Sequence, residues 1–178
     1  MKFEDLTDDV RASMLAEIDG DEAAGVLITS KRLSPKGIDD YPQLLREAIR
    51  FHNPAWLAMM LNIEGRLNKT EQRRSRGSIQ IVKVAHTAAA TLAEGEMNRF
   101  YIRGLCALVI AQDVNSELEV YRAKEVSEPR PASQWLIGTR VKATKLLDDL
   151  RQNIGIDTSL GVPAGPNSGL SVRIPAAA

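Results

Sequence analysis

The sequence predicts a mainly α-helical domain with a small β component, a long central helix and an extended C-terminal arm. Three observations carry this. A proline-free stretch, 87–112, rich in Ala, Leu and Glu, keeps a helical spacing of apolar residues. Shorter apolar-periodic stretches each open at a capping residue or a proline. Beyond Arg151, Gly and Pro recur and no helical period survives. The 178 residues suit one domain with an appendage. We expect a mostly helical domain over 1–151 and the arm over 152–178. Hydrophobic residues make up 44% of the chain and charged residues 26%, enough for a sizeable core.

Thr7 is the residue type that caps a helix, and Asp8 and Asp9 then stand in a first turn, where carboxylates favour the helix dipole. Val10, Met14 and Ile18 recur every four residues with Leu15 beside them, so this helix ends near Gly20. Ala24 to Ile28 is small and apolar, and fits a strand or a second helix start equally. Tyr41-Pro42 opens the next helix, with Leu44, Leu45, Ala48 and Ile49 on one face. Proline is tolerated in a first turn because its missing N–H has no partner there. Asn53-Pro54 repeats the device before Ala55 to Leu61, with Trp56, Leu57, Met60 and Leu61 as the buried side. The two form a helical hairpin.

Residues 64–83 change character: Arg66, Lys69, Arg73, Arg74, Arg76 and Lys83 oppose only Glu64 and Glu71. Arg73 to Gly77 reads as an exposed loop, and Ser78 to Val84 as a strand or extended arm. The long helix follows, with Leu92, Met97, Tyr101, Leu105, Leu108 and Val109 in helical spacing and Thr87 as its candidate cap. Gly95 and Gly104 each cost about 1 kcal/mol against alanine in an exposed helix. Either the helix breaks near one of them or another backbone packs closely. Leu118 to Val126 is β-like, and Glu128-Pro129-Arg130-Pro131 ends it. Ser133 caps a helical turn through Ile137, stopped by Gly138, and Lys142 to Arg151 carries Leu146, Leu147 and Leu150 as the last helix. Within the arm, Leu170, Val172 and Ile174 alternate with polar residues, the pattern of a strand that adds to a partner's sheet edge.

Lys plus Arg and Asp plus Glu balance at 23 each, which disfavours both a globally basic nucleic-acid binder and an acidic disordered chain. The charge is uneven, however. The first forty residues hold ten carboxylates, Asp39 and Asp40 among them, against five bases. A single cysteine, Cys106, excludes an intramolecular disulfide and a multi-Cys metal cage. No apolar run reaches the ~18–20 residues that span a bilayer, and the acidic opening Met1 to Asp5 lacks the apolar run of a secretory signal. We therefore expect no membrane association and no cofactor.

No catalytic motif stands out: there is no Walker loop, no paired CxxC, no HExxH and no Gly-x-Ser-x-Gly elbow. Cys106, between Leu105 and Ala107, reads as a small buried residue rather than a nucleophile. His52 ends a helix, where a cation gains from the dipole. His86 and Glu94 would make an enzyme site only if one concave pocket held both. Glu94 with Glu96, and Asp148 with Asp149, diverge around their helices and read as solvated faces. Arg73, Arg74 and Arg76 could release counterions on a nucleic acid, but no aromatics interleave with them for base stacking. The same patch also suits the acidic N-terminal segment of a neighbouring subunit. Tyr101, Arg103, Tyr121 and Arg122 are residue types that anchor interfaces. With Leu170, Val172 and Ile174 they are the expected partner-binding set.

The run Leu92-Ala-Glu-Gly-Glu-Met-Asn-Arg-Phe-Tyr-Ile-Arg-Gly-Leu105, with Leu118 to Val126 and Gly165-Pro-Asn-Ser-Gly-Leu-Ser-Val-Arg-Ile174, resembles uncharacterised proteins encoded among the structural genes of tailed bacteriophages and prophages. The similarity covers most of the chain, including Ser30-Lys-Arg-Leu-Ser34 and Asp40-Tyr-Pro-Gln-Leu-Leu45. The resemblance implies a non-enzymatic virion protein, made in the bacterial host cytoplasm and placed at the head–tail junction. Adaptor or neck proteins there are small, helical and ring-forming, and dock on the portal through extended tails. The implied partners are copies of itself and portal or tail components. No residue here matches an adaptor signature, so a capsid-associated protein remains an alternative. A small regulatory protein contacting nucleic acid through 66–83 is the rival from another class.

Overall fold

The computed structural model describes residues 1–28, 30–75, 77–155, 158–163 and 168–176. Of the residues singled out above, Arg76, Gly165, Pro166 and Asn167 lie outside that set. About 49% of the described residues are helical and about 16% are strand, so the fold is mainly α with a small β part. Helix α1 spans Asp8–Ala23, α2 Pro35–Phe51, α3 Pro54–Leu61 and α4 Ala88–Gln112. Strands β1 (Thr70–Ser75) and β2 (Ser78–Lys83) lie between α3 and α4. After α4 come β3 (Glu117–Arg122), α5 (Pro131–Leu136), β4 (Arg140–Lys142), α6 (Ala143–Gln152) and β5 (Leu170–Arg173).

Helix α4 is the spine. Helices α1, α3 and α6 pack on it from different sides, and its residues from Glu96 to Cys106 are buried all the way round. The helix does not break at Gly104. A Cβ there would come within 2.7 Å of the Met14 side chain and 2.8 Å of the Met14 backbone nitrogen, so α1 crosses α4 where a side chain is absent. Thr7 caps α1 as expected, accepting from the Val10 N–H at 3.3 Å. The helix runs a turn past Gly20, because Asp21 is drawn into the core beside Ile18. Ala24 to Ile28 then forms turns, neither strand nor helix.

Helix α2 begins seven residues before the expected start at Pro42. Ser34 caps it, accepting from the Gly37 N–H at 3.0 Å, and Pro35 takes the first helical position. Pro42 therefore sits inside the helix. Asn53 caps α3 through the Trp56 N–H at 3.0 Å, with Leu57 and Leu61 fully buried and Trp56 and Met60 half-buried.

Two small sheets complete the fold. Residues 70–75 are strand β1, paired antiparallel with β2 from Thr70↔Lys83 to Ser75↔Ser78, so Arg73 to Ser75, expected at the start of an exposed loop, are strand instead. The second sheet has the order β4-β3-β5, all antiparallel. Strand β5 corrects the arm expected over 152–178. It returns to pair with β3 from Glu119↔Arg173 to Arg122↔Leu170, and Leu170, Val172 and Val162 are core residues. The return is tied at two points. Asp149 of α6 accepts from the Ser159 and Leu160 N–H groups at 2.9 and 2.7 Å. Gly169, at φ +67, lies so close to the Lys124 carbonyl that a Cβ would come within 2.3 Å of it. Of the apolar alternation read as an offer to a partner, Leu170 and Val172 are taken up by the chain's own sheet, and Ile174 is not.

Candidate functional site

Helix α1 turns Glu17 and Asp21 inward, and α4 sets Glu96, Arg99 and Arg103 against them. Arg103 donates from Nε to Glu17 at 2.8 Å and from both terminal nitrogens to the two Asp21 oxygens, each at 2.8 Å. Arg99 reaches Asp21 at 3.1 Å and Glu96 at 2.7 Å. Arg151 of α6 closes on Glu17 at 2.5 Å, and the Tyr41 hydroxyl of α2 donates to Glu96 at 3.1 Å. Burial pushes the Glu17 carboxyl up, but hydrogen bonds and charge from Arg151 and Arg103 outweigh it and hold it below its ordinary range. Burial, with Glu96 beside it, holds the Tyr41 hydroxyl well above its usual range. Every carboxylate here faces a guanidinium. The cluster is an internal tie among α1, α2, α4 and α6 rather than an opening for a ligand. Glu96 and Asp149, expected on solvated faces, are both buried. One signal in the sequence pointed here: Glu17/Asp21 and Arg99/Arg103 share the same four-residue spacing, and each pair sits within an apolar stripe.

Most of the expected partner-binding set is likewise internal. Leu170 and Val172 are in the core, and Arg103 is in the ion cluster. Tyr101 stacks on Phe3 at 4.6 Å between ring centroids, and its hydroxyl accepts from the Asp5 N–H at 3.2 Å. The Tyr121 hydroxyl donates to the Lys2 carbonyl at 2.7 Å and accepts from the Glu4 N–H at 3.2 Å. The two tyrosines therefore hold the chain's own first residues. Arg173 joins this clamp through Glu119 at 2.5 Å and Glu4 at 3.0 Å. Arg122 is half-buried and donates to the Ser168 carbonyl at 2.8 Å. Ile174 remains exposed. Large, mixed polar–apolar side chains of this kind suit an interface, but a chain's own termini satisfy them equally well.

The candidates for chemistry are dispersed. Cys106 is buried, and burial pushes its thiol far above the ordinary range, away from a reactive thiolate. His52 stacks on Trp56 at 4.2 Å between ring centroids. His86 is exposed before α4, while Glu94 pairs with Lys124 at 2.5 Å. The cleft that Glu94 lines, with Met1, Pro54, Met59 and Ala90, does not include His86, so the two do not share a pocket. Among the described residues no group of three or more His, Cys, Asp or Glu is arranged to hold a metal ion. No described helix is long and apolar enough to cross a membrane.

The surface feature that stands apart is the β1–β2 ribbon. Its root is fixed by the Arg32–Glu71 pair, with Nε to carboxylate at 2.6 Å, and by Asn68, whose side chain donates to the Leu33 carbonyl at 3.0 Å. Beyond the root, Gln72 to Arg74 and Gly77 to Ile81 are exposed. Ile79 and Ile81 are 66% and 74% exposed, and Arg73 and Arg74 are exposed beside them. Sequence reading noticed the arginines but missed the isoleucines, because 70–75 was not read as the strand that aligns them. No protein-family model, no curated protein and no solved structure matches this chain.

Proposed function

We propose that this chain is a non-enzymatic structural protein of a tailed-phage virion, at the head–tail junction, assembling with copies of itself and with neighbouring components such as portal or tail proteins. One observation carries the assembly part of the reading: a two-stranded ribbon leaves the body with two isoleucines bare. Such a ribbon alone in water is marginal, and three or more strands, or a packed face, are the usual minimum for stability. The element that reaches a neighbour is then 70–83, not the C-terminal segment, whose Val162, Leu170 and Val172 are in the core. The mutual pairing of the buried Glu17, Asp21, Arg99 and Arg103 also fits a building block better than a catalyst. The place in the virion rests on the resemblance alone. Mass spectrometry of particles purified from a host that makes this chain tests it. The expected result is the chain at a fixed ratio to the portal protein; its absence from intact particles overturns the reading.

A second reading has an observation of its own. Arg73 and Arg74 stand on an exposed two-stranded ribbon, an element that can enter a DNA groove. Neighbouring strand residues point to opposite faces, so the two arginines do not make a one-sided cationic stripe. Fluorescence anisotropy with duplex DNA over a salt series separates the readings. The regulatory reading requires binding that falls steeply with salt and is lost in Arg73→Ala/Arg74→Ala.

A further inference from the structure

The two edges of the ribbon differ in chemistry. Strand β1 reads Thr-Glu-Gln-Arg-Arg-Ser, so Glu71, Arg73 and Arg74 stand along its edge. Strand β2 reads Ser-Ile-Gln-Ile-Val-Lys and carries no charge before Lys83. Sheets guard exposed edges with charges, bulges or proline against pairing with another chain. Strand β1 is guarded in this way and β2 is not. Among the described strands β2 pairs only with β1, which leaves its other edge open. Residues two apart share a face, so Ile79 and Ile81 lie together, with Arg74 and Gln72 directly across from them on β1.

We infer that the open edge of β2 is a self-pairing site. Strand β2 of one copy adds antiparallel to β2 of a second copy about a two-fold axis at Gln80, giving a four-stranded sheet ordered β1-β2-β2-β1. This rests on the assembly reading and names its partner as a second copy of this chain. The register follows from the isoleucines. Centring on Ile79 or Ile81 sets one isoleucine against itself and leaves the others unmatched. Centring on Gln80 sets Ile79 of each copy against Ile81 of the other, and does so twice. The four isoleucines then form one patch with Arg74 and Gln72 at its rim. Lys83 of each copy falls opposite Gly77 of the other, so no like charges meet. Charge selects the same occupant. Pairing through β1 would crowd Arg73 and Arg74 of two copies together. A charged strand from another protein would find nothing on the central residues of β2 to match it. The contact is isologous, so it makes pairs of copies; a ring would need a second, head-to-tail contact.

The test is a cysteine at the axis of the full chain. Residues directly opposite across an antiparallel pair have Cβ atoms about 4.5–5.5 Å apart, close to disulfide reach. The native Cys106 is buried and does not compete. Under oxidised glutathione, Gln80→Cys is expected to run as a dimer on a non-reducing gel and return to monomer with reductant. Arg73→Cys, on the guarded edge, is expected to stay monomeric. Light scattering of the unmodified chain is run in parallel, with Ile81→Lys expected to abolish dimerisation. An unmodified chain that assembles while Gln80→Cys fails to cross-link overturns the edge inference and leaves the assembly reading standing. A chain monomeric at every concentration overturns the inference, and the virion reading then rests on the particle analysis alone.

Discussion

Arginine occupies two regions of this molecule in opposite ways. At the α1–α4 crossing, Arg99 and Arg103 are almost fully buried, and each bonds more than one carboxylate. On the ribbon, Arg73 and Arg74 are exposed beside bare isoleucines. The inner pair is enclosed with its counter-charges and fixes how the helices meet. The outer pair leaves its charge, and its apolar neighbours, facing outward. Residue type therefore does not identify an interface; enclosure does. Breaking the first region should strongly destabilise the chain, and breaking the second should leave the fold intact.

The largest effect is expected from ending the chain at Arg151. That removes Val162, Leu170 and Val172, all buried, and takes Val172 from its place opposite Val120 of β3. Each such side chain contributes about 1.5–3 kcal/mol on burial. Three of them are comparable to the total stability of many domains, about 5–15 kcal/mol. Residues 1–151 are expected to lose cooperative thermal unfolding by circular dichroism. A sharp transition close to that of the full chain would mean that β5 is an appendage after all.

Next comes Arg103→Ala. It strands Glu17 and Asp21 in the interior with fewer counter-charges, and breaking a buried pair from one side costs about 3–5 kcal/mol. Urea denaturation measures it. A loss below about 1 kcal/mol, the scale of a surface ion pair, would show that the cluster is wetter than the geometry implies. Acid probes the same cluster by another route. The Glu17 carboxyl lies below its ordinary value in the folded chain, so its contribution is present above the unfolded carboxylate pKa and is lost as pH falls through the folded one. Stability is expected to drop below about pH 4, the ordinary carboxylate range. In Glu17→Gln, which keeps the shape but not the charge, that part of the drop should vanish.

The sequence made some of this legible. The Thr7 and Asn53 caps, the α4 spine and the last helix follow from local chemistry, because a cap or an apolar period is written within one turn. Gly104 posed the right choice, a break or a close neighbour, and Met14 is the neighbour. The failures share a cause. Pro42 looked like a start because Ser34-Pro35, a better cap and first residue, lies one long step upstream. The alternation of β5 announced a strand but not whose sheet it joins, since its partner β3 lies some fifty residues away in the chain. Glu96 and Asp149 looked solvated because their partners, Arg99 with Tyr41 and the 159–160 backbone, are brought to them only by the fold. The ion cluster left a faint mark in the matched spacing of Glu17/Asp21 and Arg99/Arg103. The ribbon's isoleucines left none until β1 supplied a register.

The smallest effect on the fold is expected where the effect on assembly should be largest. Ile79→Ser/Ile81→Ser removes two exposed apolar side chains from a ribbon whose faces touch little of the body. Surface substitutions of this kind normally change stability by no more than about 0.5 kcal/mol. The urea midpoint of a monomeric sample should therefore stay where it is, while the self-association of the full chain is lost. If the unfolding free energy instead falls by more than about 1 kcal/mol, comparable to the loss of a packed contact, the ribbon is folded against its own body in solution. The contrast between an enclosed and an open region would then fail at its open end. An unchanged midpoint together with lost association would tie the exposure of Ile79 and Ile81 to a neighbour, because nothing within the chain would account for their place on the strand.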